Sequence, residues 1–253
     1  MRRKKVMEDR IDIEKDPIFI DIDVSNEGGV DRDLEPIQWL IDKLSPIMLI
    51  VYIHGWKHSR SNDHLPDSDR NAFKQALKRA QVSLSVRDDK KLIPVGIFVR
   101  WNARILPGKL ENICYWFTRN RATRIANRGN LSDLLGKLSS HTKEVNKDSE
   151  VVLTGHSMGA RILGRSMLRS PCMKNSADLL MLVNSADDHK TGKLIINNQF
   201  SDNDRVKTYI NGKDIQIPRL VWITSIVDKA TSIIFPLAEL KSKIKDTHKF
   251  DNY

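Results

Sequence analysis

The sequence predicts an α/β fold in which a mainly parallel sheet is covered by helices on both faces. Apolar runs of strand length recur along the 253 residues, and segments with helical apolar spacing separate them. Such alternation implies right-handed crossover connections that lay helices against a parallel sheet. The chain is 40% apolar and 29% charged, which is typical of a globular protein, and its length is most simply that of one domain.

The N-terminal half begins with a charged segment and then alternates strands with helices. Residues 1–16 are rich in charge and predict a disordered N-terminal segment. The predicted elements that follow are an outer strand over 18–24, a turn at 27–29, a helix over 36–44 that starts with Pro36, a buried strand over 46–53, a polar loop over 57–68, a helix over 69–86 and a strand over 92–101.

The C-terminal half continues the same alternation. Its predicted elements are a helical segment over 120–145, a strand that leads into a helix ending near Arg169, a buried strand over 177–186, a polar stretch over 187–217 with a hairpin around Asn211-Gly212, a strand over 219–228 and a last helix over 229–244. Residues 247–253 form a predicted tail. We therefore expect a single folded domain over residues 17–246.

Residues 151–163 carry the most informative motif. An apolar run leads into Gly155-His156-Ser157-Met158-Gly159, and helical apolar spacing follows. This is the context of a nucleophile elbow, in which a serine sits on a strained strand-to-helix turn between small residues. An ordinary strand-to-helix turn is the alternative interpretation. Ser157 is the predicted nucleophile.

A second motif ends the strand over 46–53, where His54-Gly55-Trp56 follows the apolar run. A tetrahedral oxyanion needs two backbone N–H donors, one after the nucleophile and one after an earlier strand. Met158 and Trp56 occupy those places and are the predicted oxyanion hole. His54 is a candidate substrate contact, and its alternative role is to cap a buried strand.

A serine nucleophile also needs a base and an acid that orients the base. In enzymes with a nucleophile elbow, the acid and then the histidine follow the serine in the chain. Asp228, just past the apolar run RLVWITSIV over 219–227, is the predicted acid, and Asp187 and Asp188 are the competing candidates. His248 is the predicted base, with an exposed tail histidine as the alternative.

These motifs resemble those of the α/β-hydrolase superfamily, and in particular a group of bacterial esterase/lipase-like hydrolases of unassigned substrate. The resemblance covers roughly residues 17–240 and is carried by 54–56, 155–159, the strand VGIFVRW over 95–101 and ITSIVDKATSIIFP over 223–236. It implies a serine hydrolase of carboxylic esters that uses Ser157, Asp228 and His248 and needs no metal or organic cofactor. Relatives place the histidine after a further strand, and this sequence predicts no such final strand before His248.

Part of the net charge of +10 lies in residues 100–128, which contain seven basic residues and a single acid, Glu111, with aromatic residues between them. We interpret residues 102–128 as a cap insertion, with Trp101 and Trp116 as candidate contacts for a small-molecule ester or lipid substrate. The alternatives are peripheral contact with an anionic membrane and, less favoured, binding of nucleic acid. A truncated or degenerate hydrolase scaffold that binds a partner through this basic face is the competing function.

Composition also indicates the cellular compartment of the protein. No apolar stretch reaches the roughly 18 residues that span a bilayer, and no apolar segment follows the basic start as in a signal peptide. Cys114 and Cys172 give neither a disulfide framework nor metal-ligand spacing. The expected localisation is cytoplasmic.

Overall fold

The computed structural model describes residues 17–30, 34–55, 68–86, 91–103, 115–128, 130–170, 173, 177–199, 206–210, 213–217 and 219–224. The strands are β1 (Ile18–Val24), β2 (Ile47–Ile53), β3 (Ile93–Trp101), β4 (Glu150–His156), β5 (Leu179–Val183), β6 (Val206–Ile210), β7 (Lys213–Ile217) and β8 (Leu220–Ile223). The helices are α1 (Glu35–Leu44), α2 (Ser68–Ser85), α3 (Tyr115–Asn127), α4 (Asn130–Val145), α5 (Met158–Arg169) and α6 (His189–Gln199).

Six of these strands form one sheet in the order β1-β3-β2-β4-β5-β8, and every neighbouring pair is parallel. The predicted mainly parallel sheet and its outer first strand are confirmed. β6 and β7 form a separate antiparallel pair, which confirms the hairpin expected around Asn211-Gly212. Because β2, β4 and β5 are adjacent and parallel, their carboxyl ends meet at one edge of the sheet.

Helices cover both faces of the sheet, as predicted. Side chains alternate between the faces of a strand, and on one face Ile97 and its neighbours join the main core with residues of α1, α3, α4, α5 and α6. On the other face Phe98 packs with Phe73 and Leu77 of α2 in a smaller cluster. The sheet is therefore buried between helices and holds the strand ends in fixed positions.

Two predicted segments have a different structure. The helical segment over 120–145 is two helices, and the first begins earlier, at Tyr115. α3 buries Tyr115, Ala122 and Ile125 against the core, so the C-terminal part of the predicted cap is a core-packed helix. The rest of the predicted cap, 104–114, lies outside the described residues.

The polar stretch over 187–217 contains a helix, α6, that its composition did not predict. Asp188 begins this helix, because its carboxylate accepts hydrogen bonds from the Thr191 N–H (2.9 Å) and hydroxyl (3.1 Å). Leu194 and Ile196 remain about half exposed, so the helix shows little of the apolar face that sequence patterns detect.

Several predictions concern residues outside the described ranges: the N-terminal segment 1–16, the last helix over 229–244, the tail over 247–253 and the missing final strand. Within the described ranges, no helix combines the length and the apolar composition needed to cross a bilayer.

Candidate active site

Ser157 lies between β4 and α5, with φ 53° and ψ −116°. This is a sparsely populated region for a residue with a Cβ, and such strain persists only where the surroundings fix the backbone. The backbone of Ser157 bonds to the end of β5 and to the loop after it: its N–H donates to the Val183 carbonyl (2.9 Å), and its carbonyl accepts from the Ala186 N–H (3.1 Å). The end of β5 therefore holds the turn in its strained form.

Gly159 allows the first turn of α5 to lie on the end of β2. A Cβ at this position would overlap the backbone carbonyl oxygens of Ile53 and His54. Backbone atoms cannot move aside as a flexible side chain can, so the turn after Ser157 requires glycine here.

The chain after β2 lies directly against the serine. A Cβ at Gly55 would come within 3.2 Å of the Ser157 Cβ and 2.7 Å of the His156 Nδ1. The absence of a side chain at Gly55 thus brings backbone close to the serine, as an oxyanion loop requires. Trp56, one predicted oxyanion donor, follows Gly55 but lies outside the described residues. Met158, the other, is the first residue of α5, where backbone N–H groups have no partner within the helix.

His54 and Trp101 lock the ends of β2 and β3 together. The Trp101 backbone N–H donates to the His54 Nε2 (3.0 Å), and the indole N–H donates to the His54 carbonyl (2.9 Å). Because Nε2 accepts, the proton of the neutral ring is on Nδ1, which donates to the Gly55 carbonyl (2.8 Å). Both side chains are buried. These contacts give them a structural role beside the serine, and their role as substrate contacts stays a prediction.

Trp116 lies on α3 and is partly buried against the core. The Tyr115 ring meets it edge-on at 6.5 Å, and the Arg119 guanidinium lies 5.7 Å from its centre. Its predicted contact with substrate also stays a prediction.

The two competing acid candidates have partners within the fold. Asp187, with 2% of its side chain exposed, accepts from Arg161 (2.8 Å) and from Arg165 (2.7 and 2.9 Å). Burial lowers the pKa of Arg161 to about 10, and the charge of Asp187 opposes that shift. Asp188 caps α6. Asp187 and Asp188 therefore both have structural partners, Asp228 and His248 lie outside the described residues, and the assignment of the acid and the base stays a prediction.

Sequence reasoning missed the cluster around Arg161. Its guanidinium donates to the Thr123 hydroxyl on α3 (3.1 Å) and to the Ala186 carbonyl (2.9 Å) as well as to Asp187. A usable signal was present, because Arg161 stands in the first turn of a helix whose neighbouring residues are small or apolar. A charge at a core-facing position predicts a buried partner.

Most of the described arginines of residues 100–128 have partners within the chain. Arg100 pairs with Asp23 (2.9 Å), Arg124 and Arg128 share Glu27, and Arg121 donates to the Asn102 carbonyl (2.7 Å). Burial lowers the pKa of Arg121, and the nearby positive charge of Arg124 lowers it further. The acids come from β1 and the turn after it, so the stretch carries less free charge than its own sequence suggests.

Within the described ranges, no three histidine, cysteine or acidic side chains come together as metal ligands. No protein-family model matches the chain, and no curated protein matches it either.

Proposed function

We propose that this protein is a serine hydrolase of carboxylic esters, with Ser157 as the nucleophile. The observation that supports it most is the strained backbone of Ser157 at the end of β4, beside the side-chain-free backbone of Gly55. The α/β-hydrolase fold, a small-molecule ester or lipid substrate and a cytoplasmic location are parts of the same proposal.

In the proposed mechanism the Ser157 Oγ attacks the ester carbonyl carbon while His248 accepts the hydroxyl proton. Asp228 orients the imidazole, and the Met158 and Trp56 N–H groups bind the oxyanion. The tetrahedral intermediate breaks its C–O bond, and His248 returns the proton to the departing alcohol. Water then attacks the acyl-enzyme with the same base, which releases the acid and restores Ser157. The residues named require no metal or organic cofactor.

Binding through the basic face of residues 100–128 remains the alternative, with an anionic membrane as the main partner class. The ion pairs of Arg100, Arg124 and Arg128 weaken this interpretation, because those charges already have acidic partners. No observation on the described residues favours it over hydrolysis.

Fluorophosphonate labelling read by intact mass tests the proposal. The Ser157 oxygen would displace fluoride from phosphorus, so the folded protein should gain one adduct and Ser157→Ala none. Ser185→Ala is the matched control, because Ser185 is a buried serine on the loop after β5, and it should label like the wild type. A folded protein without an adduct, or an adduct that survives in Ser157→Ala, would overturn the proposal.

The same assay tests the base. His248→Ala should lower the labelling rate at least about a hundredfold, the usual contribution of a general base. His141→Ala is the control, since the His141 ring pairs with Asp42 at 2.8 Å on the surface. Equal rates in the two variants would remove His248 from the mechanism.

A further inference from the structure

The peptide bond between Ser157 and Met158 is held through its carbonyl by two donors. The Ser157 oxygen accepts the first helical hydrogen bond of α5, from the Arg161 N–H (3.1 Å), and a second bond from the Ala186 N–H (3.1 Å). In a planar trans peptide the C=O and N–H point in opposite directions. The direction of the Met158 N–H, the proposed oxyanion donor, is therefore set by what holds the Ser157 carbonyl.

Ala186 is held in turn by the side chain of Arg161. One guanidinium nitrogen, Nη1, donates to both the Ala186 carbonyl (2.9 Å) and the Asp187 Oδ1 (2.8 Å), and Nε donates to the Thr123 hydroxyl (3.1 Å). Only 3% of the Arg161 side chain is exposed. A planar guanidinium with three such bonds has little freedom to rotate, so it fixes the loop after β5 against α5.

Asp187 completes the arrangement and is shared by a second arginine. Arg165 binds the same carboxylate through two hydrogen bonds, but its side chain is 29% exposed. Arg161, which is almost fully buried, also bonds the Ala186 carbonyl. The two arginines therefore share one acidic partner but differ in burial, and Arg161 links that partner to the serine turn.

We infer that Arg161 and Asp187 are positioning residues for the oxyanion hole: their ion pair holds Ala186, and Ala186 aims the Met158 N–H. This inference rests on the proposed function. A small change in the direction of an oxyanion donor affects bond formation more than reversible binding, because the donor acts on charge that develops in the transition state.

The test compares Arg161→Lys with Arg165→Lys as a matched pair. Each variant keeps a positive charge near Asp187. Arg161→Lys alone replaces the planar guanidinium that bonds Ala186, Asp187 and Thr123. For the wild type and each variant, the maximal rate of fluorophosphonate labelling and the reagent concentration giving half that rate are measured on protein shown to be folded by its unfolding transition.

We expect Arg161→Lys to lower the maximal rate about tenfold or more without changing the half-saturating concentration, because misaligned catalytic groups lose rates of this order. Arg165→Lys should stay within about twofold of the wild type, a change too small for a lost donor. Equal maximal rates in folded Arg161→Lys and wild type, or equal losses in both lysine variants, would overturn the inference. If the wild type itself takes no label, the proposed function fails, and the inference fails with it.

Thr123→Val keeps the test decisive if Arg161→Lys does not fold. Valine has nearly the shape of threonine. It removes the acceptor of the Arg161 Nε and the hydroxyl's own hydrogen bond to the Arg119 carbonyl one turn earlier on α3 (3.0 Å), which leaves the backbone of that helix in place. A two- to fivefold lower maximal rate at unchanged half-saturation is expected, the partial effect of loosening one of three bonds. A rate equal to that of the wild type would contradict a positioning role for Arg161.

Discussion

The turn at Ser157 and the arginine-rich helix α3 were both singled out from sequence, and the structure treats them differently. At Ser157 the surroundings bond the backbone and hold it in a strained conformation. Arg100 of β3 and the arginines on α3 and just after it have partners for their side chains, namely Asp23, Glu27 and the Asn102 carbonyl. Strain in a backbone has no structural benefit of its own, whereas ion pairs of this kind are ordinary features of a fold.

The comparison shows which kind of sequence signal indicates function. A strained non-glycine residue costs about 1–3 kcal/mol, so its presence calls for a role that requires it. A run of basic residues has no such cost when acids elsewhere in the chain pair with it. Arg161 joins the two regions, since it lies on α5 and bonds Thr123 of α3.

The largest expected effect breaks the turn itself. Gly159→Ala places a Cβ on the carbonyl oxygens of Ile53 and His54, so we expect a loss of about 3 kcal/mol in the free energy of unfolding. Gly164→Ala on the same helix is the control. Its Cβ would come 3.2 Å from the end of the Ile195 side chain, which can adjust, and alanine favours the helix. Urea denaturation that finds equal losses in both variants would contradict the close approach at Gly159.

A smaller effect measures the strain at Ser157, where glycine is expected to be more stable than alanine. Ser157→Gly should be more stable than Ser157→Ala by about 1 kcal/mol, because glycine adopts positive φ without the Cβ clash while its extra freedom in the unfolded chain offsets part of the gain. Ser166→Gly and Ser166→Ala, within α5, provide the control pair, and there alanine should be the more stable by about 1 kcal/mol. If alanine is also the more stable residue at position 157, the turn is not strained in solution.

Sequence patterns predicted the frame of this site well because the frame depends on local periodicity. β2, β3 and β4 are apolar runs, and the strand–turn–helix around Ser157 follows from glycines and apolar spacing near one another in the chain. The arrangement around Arg161 could not be predicted in the same way, since Thr123 and Asp187 are far from it in sequence. The polar composition of 187–217 likewise concealed α6, whose start depends on a single cap at Asp188.

The smallest expected effect concerns the basic side of the comparison. Glu27 and its partners Arg124 and Arg128 are each more than half exposed, and such pairs contribute up to about 1 kcal/mol. We expect Glu27→Gln to lower the free energy of unfolding by less than about 0.5 kcal/mol in urea denaturation. Asp23→Asn removes the acidic partner of Arg100 from a less exposed ion pair, so it should lower the free energy of unfolding by more than Glu27→Gln does.

Vesicle co-sedimentation with phosphatidylserine then relates that pairing to the alternative function. Glu27→Gln leaves two arginines without their shared acid, so any weak attraction to anionic lipid should increase in this variant and decrease with salt. The wild type should stay in the supernatant, because Glu27 offsets part of the charge of Arg124 and Arg128 and Asp23 offsets that of Arg100. Salt-sensitive binding of the wild type that is unchanged in Ser157→Ala would instead make the basic face the functional surface, and the ion pairs to Glu27 would then be contacts that the membrane displaces.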